Sequence, residues 1–250
     1  MKSAGFIRLI AVIAAALLLE AVCRLRLIDP FTMIAPSAMV GGLWDLLHKS
    51  DFTADVARSL GAVAAAGVSA IVVGFWAGIV IHSLPRVRRT VNPLFASYYS
   101  VPIIVFYPLF IVLFGLNDWP KVAIAFLYAV IAMVVSTING LDRVPAVLRK
   151  TAITFQMGPV ATALRIVLPC AAPYIFTGVK LAMAYAFIGI VGSEFILSSS
   201  GIGYEISFAY NNFDNDTLYA LILFIILVSV TLNLSLFAWE KMLLRRRGLR

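Results

Sequence analysis

Charge is the scarcest thing in this sequence. Only 13% of its 250 residues are Asp, Glu, Lys or Arg, about half the ~25% of an ordinary soluble domain. Acids are fewer than bases, 12 against 20, so the net charge is +8. There are two cysteines, Cys23 and Cys170, both in or beside apolar segments and without CxxC spacing. That excludes a disulfide framework and a thiolate metal site, and leaves two small hydrophobes. The two histidines, His48 and His82, lie far apart with no ligand partners at metal spacing. No GxxxxGK[ST] loop and no Gly-Lys pair occurs, so the chain has no phosphate-cradling motor of its own. Catalytic sets of the Ser/His/Asp, paired-aspartate or HExxH kind are missing from the apolar stretches, which argues against an embedded enzyme. Repeats and low-complexity tracts are also missing, as are the matched Gly/Pro-broken segments of an inverted-repeat transporter.

What fills the space is apolar: 62% of residues are hydrophobic. Stretches free of Asp, Glu, Lys and Arg run from Ser59 to Pro85, Thr90 to Asn117, Val122 to Leu141 and Thr217 to Trp239. Each reaches the ~20 residues a helix needs to cross the hydrocarbon core. Two further stretches contain charges: Ile7 to Val22, with Arg8 and Glu20, and Ala172 to Leu197, with Lys180 and Glu194. The expectation is an all-α membrane protein with six transmembrane helices in one domain, 1–250. The spans fall at about 7–26, 57–84, 90–116, 120–141, 171–197 and 217–240. The first resembles a signal peptide, but with five spans behind it a retained anchor is the better reading.

Orientation follows from the cations. With the N-terminus inside, fourteen Lys and Arg fall on the cytoplasmic side, including Arg86, Arg88, Arg89, Arg143, Arg149, Lys150 and the tail 241–250. Five fall outside: Arg24, Arg26, Lys49, Arg58 and Lys121. Positive charge stays inside, so both termini are expected in the cytoplasm. Cations placed between apolar runs reflect membrane orientation and contact with lipid headgroups, and no nucleic-acid partner is expected.

The longest internal connection, 142–169, is not a featureless linker. "RVPAVLRKTAITF" reads as a short helix broken at Gly158-Pro159, and "VATALRIVLP" as a second helix closed by Pro169. Two short amphipathic helices at a membrane surface either dock into a partner or cover the inner ends of the bundle. Composition alone does not separate these. In the third stretch Tyr98, Tyr99, Pro102, Phe106 and Tyr107 gather within about three turns. They form either a pathway wall or ordinary bundle packing. Glu194, ionisable within a span, reads as a gate or packing residue or as a solute contact. Lys180 is expected to snorkel toward headgroups or a partner. Glu20 and Arg24, four apart, suit an ion pair. The stretch "SAMVGGLWDLLHKSDFTADVARSL" reads as one amphipathic surface helix, and "SSSGIGYE" as a flexible turn.

Ala152-Ile153-Thr154, then Gly158, then Ile166-Val167-Leu168-Pro169 resemble the cytoplasmic "EAA" loop of bacterial ABC importer permeases. "PYIFTGVKLAMAYAFIGIVGSEFI" resembles the fifth span of the branch importing sulfonates, taurine and nitrate. "SVPIIVFYPLFIVLFG" is similar to that branch's third span, and "GIGYEISFAYNNFDNDTLYA" to its outer loop. Two departures stand out: Ala152 replaces the acidic residue opening the motif, and Gly158 to Pro169 is about one residue short. The resemblance implies a type I ABC importer permease bundle in the bacterial inner membrane, paired with a second copy of itself. Two ATPase subunits that use ATP and Mg would sit below, and a periplasmic or lipid-anchored binding protein outside. It implies ATPase coupling through Arg149, Thr151, Ala152, Thr154, Gly158, Pro159, Ala163 and Pro169. The chain itself would bind no cofactor and no metal. Tyr98, Tyr99, Pro102, Phe106, Tyr107 and Glu194 are the candidates for the translocation path. An ion-coupled secondary transporter is the alternative, but it needs several buried carboxylates or histidines, and only Glu194 qualifies. The solute stays open among sulfonates, taurine, nitrate, aromatic acids and vitamin precursors.

Overall fold

The computed structural model describes residues 2–29 and 31–246, so Arg247 and Arg250 of the basic tail lie outside the described residues. All regular structure among the described residues is helical. The helices are α1 (Lys2–Arg24), α2 (Pro36–Leu47), α3 (Ser50–Ser83), α4 (Pro85–Tyr98), α5 (Tyr107–Phe114), α6 (Trp119–Asp142) and α7 (Ala146–Thr154). They continue with α8 (Pro159–Thr162), α9 (Leu168–Leu197), α10 (Ile202–Asn211) and α11 (Asn215–Arg246). Four stretches are helical, long and apolar enough to cross a membrane: Ser50–Ser83, Trp119–Asp142, Pro159–Leu197 and Asn215–Leu243. Their outward faces are greasy, as at Ile226, Val230 and Leu234 on α11, each about half exposed or more. Lipid tails are the solvent such a surface fits.

The apolar stretch 90–116 is not one helix. α4 stops at Tyr98, a 3₁₀ turn spans Ile103–Phe106, and α5 resumes at Tyr107. Proline explains the break. Pro102 has no N–H to continue α4 and disfavours helical geometry in the residue before it, while Pro108 fits the first turn of α5. The segment 36–83 is likewise two helices, parted at His48–Lys49.

Contacts divide the chain into two compact units, residues 1–58 with 194–230 and residues 59–193 with 231–250. In the first, Leu43, Leu46, Phe52, Ile202, Leu221 and Phe224 form the core, with Phe52 and Phe224 edge to face at 5.2 Å. Glu20 pairs with Arg24 at 2.6 Å as their spacing suggests, and also accepts hydrogen bonds from Ser37.

In the second unit α6 is the central helix, buried along much of its length. Glycines let its neighbours approach closely. A Cβ at Gly74 or Gly78 of α3 would lie 2.7 Å from Met133 or Thr137. One at Gly178 or Gly189 of α9 would lie 2.6 Å from Ser136 or 2.7 Å from the Ala125 backbone. Between helices immersed in lipid the hydrophobic effect is weak, so this backbone proximity, with its dispersion contacts, is what holds them.

Candidate functional site

The connection 142–169 is built from α7, α8 and the start of α9. α7 ends by a turn at Gln156, whose φ is +50°. The Met157 N–H reaches back to the Ala152 carbonyl at 2.9 Å and the Gln156 N–H to Ile153 at 2.9 Å, closing the last turn. The sequence assigned the sharp turn to Gly158, but that residue has an ordinary φ of −63° and serves as N-cap of α8, with Pro159 in the first turn. Pro169 does not close a helix either. The chain stays helical from Pro159 to Leu197 because a π turn at Ala163–Val167 intervenes. There the Leu168 N–H bonds Ala163, five residues back, so the wider ladder accommodates a proline one residue later.

The remaining loop candidates occupy ordinary helical positions. Arg149 donates to the Leu141 carbonyl at 2.9 Å, and Thr151 and Thr154 bond back to Val147 and Lys150. Ala152, standing where the resembled motif has its acid, is buried at 1% exposure. An acidic side chain there would be desolvated. The apolar side chains around it face outward: Val147, Ile153, Phe155, Val160 and Leu164 are all at least 60% exposed. The Arg88 guanidinium holds Asp142, at the loop's start, in a two-pronged pair, and His82 Nε2 lies 3.3 Å from the same carboxylate.

The aromatic cluster divides. Tyr107 is buried with Ile103 and Ile124, and Tyr98 packs on that cluster while donating to the Leu127 carbonyl at 2.8 Å. Tyr99 is half exposed, its ring 6.1 Å from Tyr185. Pro102 and Phe106 are exposed. Glu194 belongs to the other unit. Its buried carboxyl accepts the Gly203 N–H at 3.1 Å and so satisfies a free donor in the first turn of α10, where the helix dipole favours an acceptor. The "flexible" turn before α10 is therefore fixed: Gly201 adopts φ +105° and donates to Asp55 Oδ1 at 2.8 Å.

Lys180 has a partner within the chain. Its ammonium pairs with Glu240 at 2.7 Å and lies 5.9 Å from the Phe237 ring, tying α9 to α11. Lys121, counted among the cations on the outer side, is 2% exposed and pairs with Asp118 at 2.8 Å. Sequence reasoning missed Glu240 and Asp142 as partners, since Lys180 and Arg88 lie 60 and 54 residues from them in sequence and only packing brings them together.

Glu205, in the first turn of α10, is pushed above its ordinary pKa of 4.5 by burial and then by Asp55, with Asp51 adding to and Lys49 opposing the shift. A raised carboxyl binds its proton more tightly folded than unfolded. Its stabilisation is therefore full at low pH and fades as pH rises through the raised value. Glu205→Gln is expected to remove that slope: thermal unfolding at pH 5 and pH 8 should differ less in the variant than in the parent. An unchanged difference would refute this.

The profile described as "Binding-protein-dependent transport system inner membrane component" matches residues 70–248. The chain belongs to this family. The permease is 26% identical over 207 residues to the nitrate import permease protein NrtB of Leptolyngbya laminosa, covering 79% of this chain and 74% of that one. It is 25% identical over 227 residues to the taurine transport system permease protein TauC of Escherichia coli K12, covering 89% and 82%. These relatives accord with the sulfonate, taurine and nitrate branch. An inward-facing structure of the MetNI methionine ABC transporter aligns with TM-score 0.64 at 15% identity, over 84% of this chain and 99% of that one. At that identity the likeness shows the fold, a type I importer permease bundle. The permease is thus a multi-pass inner-membrane transport protein and not an enzyme.

Proposed function

We propose that this chain is one half of the membrane path of an ATP-driven importer. It is a single permease domain of six spans with both termini in the cytoplasm, α1 and the broken α4–α5 segment supplying the two spans beyond the four long apolar helices. Two copies form the path for a small solute delivered by an extracytoplasmic binding protein. Two copies of a separate ATPase, using ATP and Mg, drive it through residues 142–169. The observation that carries this reading is the set of exposed apolar side chains Val147, Ile153, Phe155, Val160 and Leu164, on short helices whose ends are fixed by hydrogen bonds. Such a surface suits seating in a partner's cleft, and rigid short helices pass on a partner's movement where a slack linker would absorb it. Within the loop, Ile153, Phe155 and Leu164 supply contact. Arg149, Thr151, Ala152 and Thr154 hold the shape of α7. Gly158, Pro159, Ala163 and Pro169 set the passage into α9. Closure of the ATPase pair draws the two bundles outward-open, and hydrolysis returns them inward-open. Tyr99, Pro102 and Phe106, which are exposed, border the path, and Tyr98 and Tyr107 pack behind them. Glu194 orders the α10 segment by accepting the Gly203 N–H.

The test is co-purification of the cognate ATPase with the permease lacking 144–165. The expected result is loss of the ATPase while the truncated protein still extracts from membranes as an integral protein. Retained association at parental stoichiometry would end the coupling-loop assignment.

A further inference from the structure

α6 ends on an acid, Asp142, where the helix dipole favours a cation. It is the one acid between Asp118 and Glu194, in a stretch that holds six Lys and Arg. Its position is explained by what it grips. The Arg88 guanidinium, in the first turn of α4, meets both carboxylate oxygens, with Nη1 at 2.8 Å from Oδ1. A two-pronged contact of this kind fixes orientation as well as distance. His82 Nε2, in the last turn of α3, lies 3.3 Å from the same oxygen.

The same end of α6 carries α7. Arg149 of α7 donates at 2.9 Å to the Leu141 carbonyl, one of those a helix leaves without an internal partner at its C-terminus. Between the two helices stand only residues 143–145. Val144 among them is 6% exposed and packs with Leu141 and Ala171, and the Arg143 guanidinium lies 5.6 Å from the Tyr174 ring. The end of α6 and α7 therefore move as one piece.

α4 meets α6 at both of its ends. Arg88 pairs with Asp142 at one, and at the other the Tyr98 hydroxyl donates to the Leu127 carbonyl at 2.8 Å. Between them a groove of about 410 Å³ holds the helices apart, lined by Asn92, Phe95 and Tyr99 on one side and Val135, Ile138 and Asn139 on the other. Midway along α4 stands Pro93. It has no N–H for the Arg89 carbonyl, and prolines so placed are where helices bend.

We propose that Asp142 is a positioning residue for transport, passing the movement of α7 to the first turns of α4 through Arg88. α4 bends at Pro93 against its fixed end at Tyr98, and the groove beside α6 changes width. The proposal rests on the coupling-loop reading and adds the route by which movement leaves that loop. The pair is suited to transmission more than to stability. The Arg88 and Asp142 side chains are 30% and 36% exposed, and ion pairs open to solvent contribute little to folding.

The experiment is hydrogen–deuterium exchange, read by mass spectrometry, on the full-length permease with its cognate ATPase in nanodiscs. The complex is compared nucleotide-free and trapped with Mg-ATP and vanadate. In the parent, trapping is expected to change exchange of the 86–92 amides by about fivefold, the low end of coupling between sites. Asp142→Asn should keep the ATPase and the response at 146–154, while the response at 86–92 falls below about twofold. Asp142→Arg alone should do the same, and adding Arg88→Asp, which restores opposite charges, should recover most of the parental response. A parental response at 86–92 in Asp142→Asn, no response there in the parent, or no recovery in the double variant would each overturn the proposal. So would loss of the ATPase from Asp142→Asn, which would place the residue in docking instead. A response at 146–154 that never reaches 86–92 would sink this route and leave the coupling-loop assignment standing.

Discussion

Glu194→Ala is expected to lower the stability of the unit built from residues 1–58 and 194–230 by about 3 kcal/mol, because a buried acceptor is lost and its backbone donor at Gly203 is stranded. The carboxylate is 1% exposed, so no water replaces it. Gly201→Ala should be at least as damaging. At φ +105° an alanine is strained, and its Cβ would fall onto the Glu194 carboxylate. Thermal unfolding of the detergent-purified protein measures both, with limited proteolysis reporting whether the 198–205 segment is released. If Glu194→Ala melts like the parent and stays uncut there, the capping role is wrong.

The second large effect is steric. Gly189→Leu places its first side-chain carbon 2.7 Å from the Ala125 Cα, and backbone cannot step aside as a flexible side chain does. Forcing α9 from α6 is expected to cost about 3 kcal/mol, the upper end for overpacking. The readout is a lower yield of monodisperse protein together with a lower melting temperature. Gly61→Ala is the control. Its Cβ would meet nothing within 4 Å, and in a helix interior alanine gains up to about 1 kcal/mol over glycine. Equal melting temperatures for Gly189→Leu and the parent would show that the two helices are not in register as described.

Hydrophobic runs made the long helices legible, since an uncharged stretch of that length has few other uses. Proline placement was harder to read. Pro102 broke the third stretch, as its missing N–H predicts, yet Pro169 was absorbed by a π turn, which no residue type announces. Gly158 looked like the turn residue because glycine usually supplies positive φ. The turn fell instead on Gln156, two residues earlier, where the α7 ladder ran out. Glu194 was visible as an ionisable group in a span, but its service to α10 depends on a backbone N–H nine residues on. The close contacts on α6 did leave a trace, the G-x-x-x-G at Gly74 and Gly78, which signals a small-residue helix interface. The α4–α6 groove had none, because its two walls are more than thirty residues apart in sequence.

The π turn at Ala163–Val167 also changes how facings are counted along this part of the chain. It holds one residue more than an α turn, so side chains upstream of it are rotated by roughly 100° from where an uninterrupted helical wheel would set them. A one-residue deletion can be taken up here by reverting to tighter winding, without sliding α9 against α6. Among relatives of unequal loop length, it is therefore this stretch that can absorb the slack while the span behind it keeps its phase.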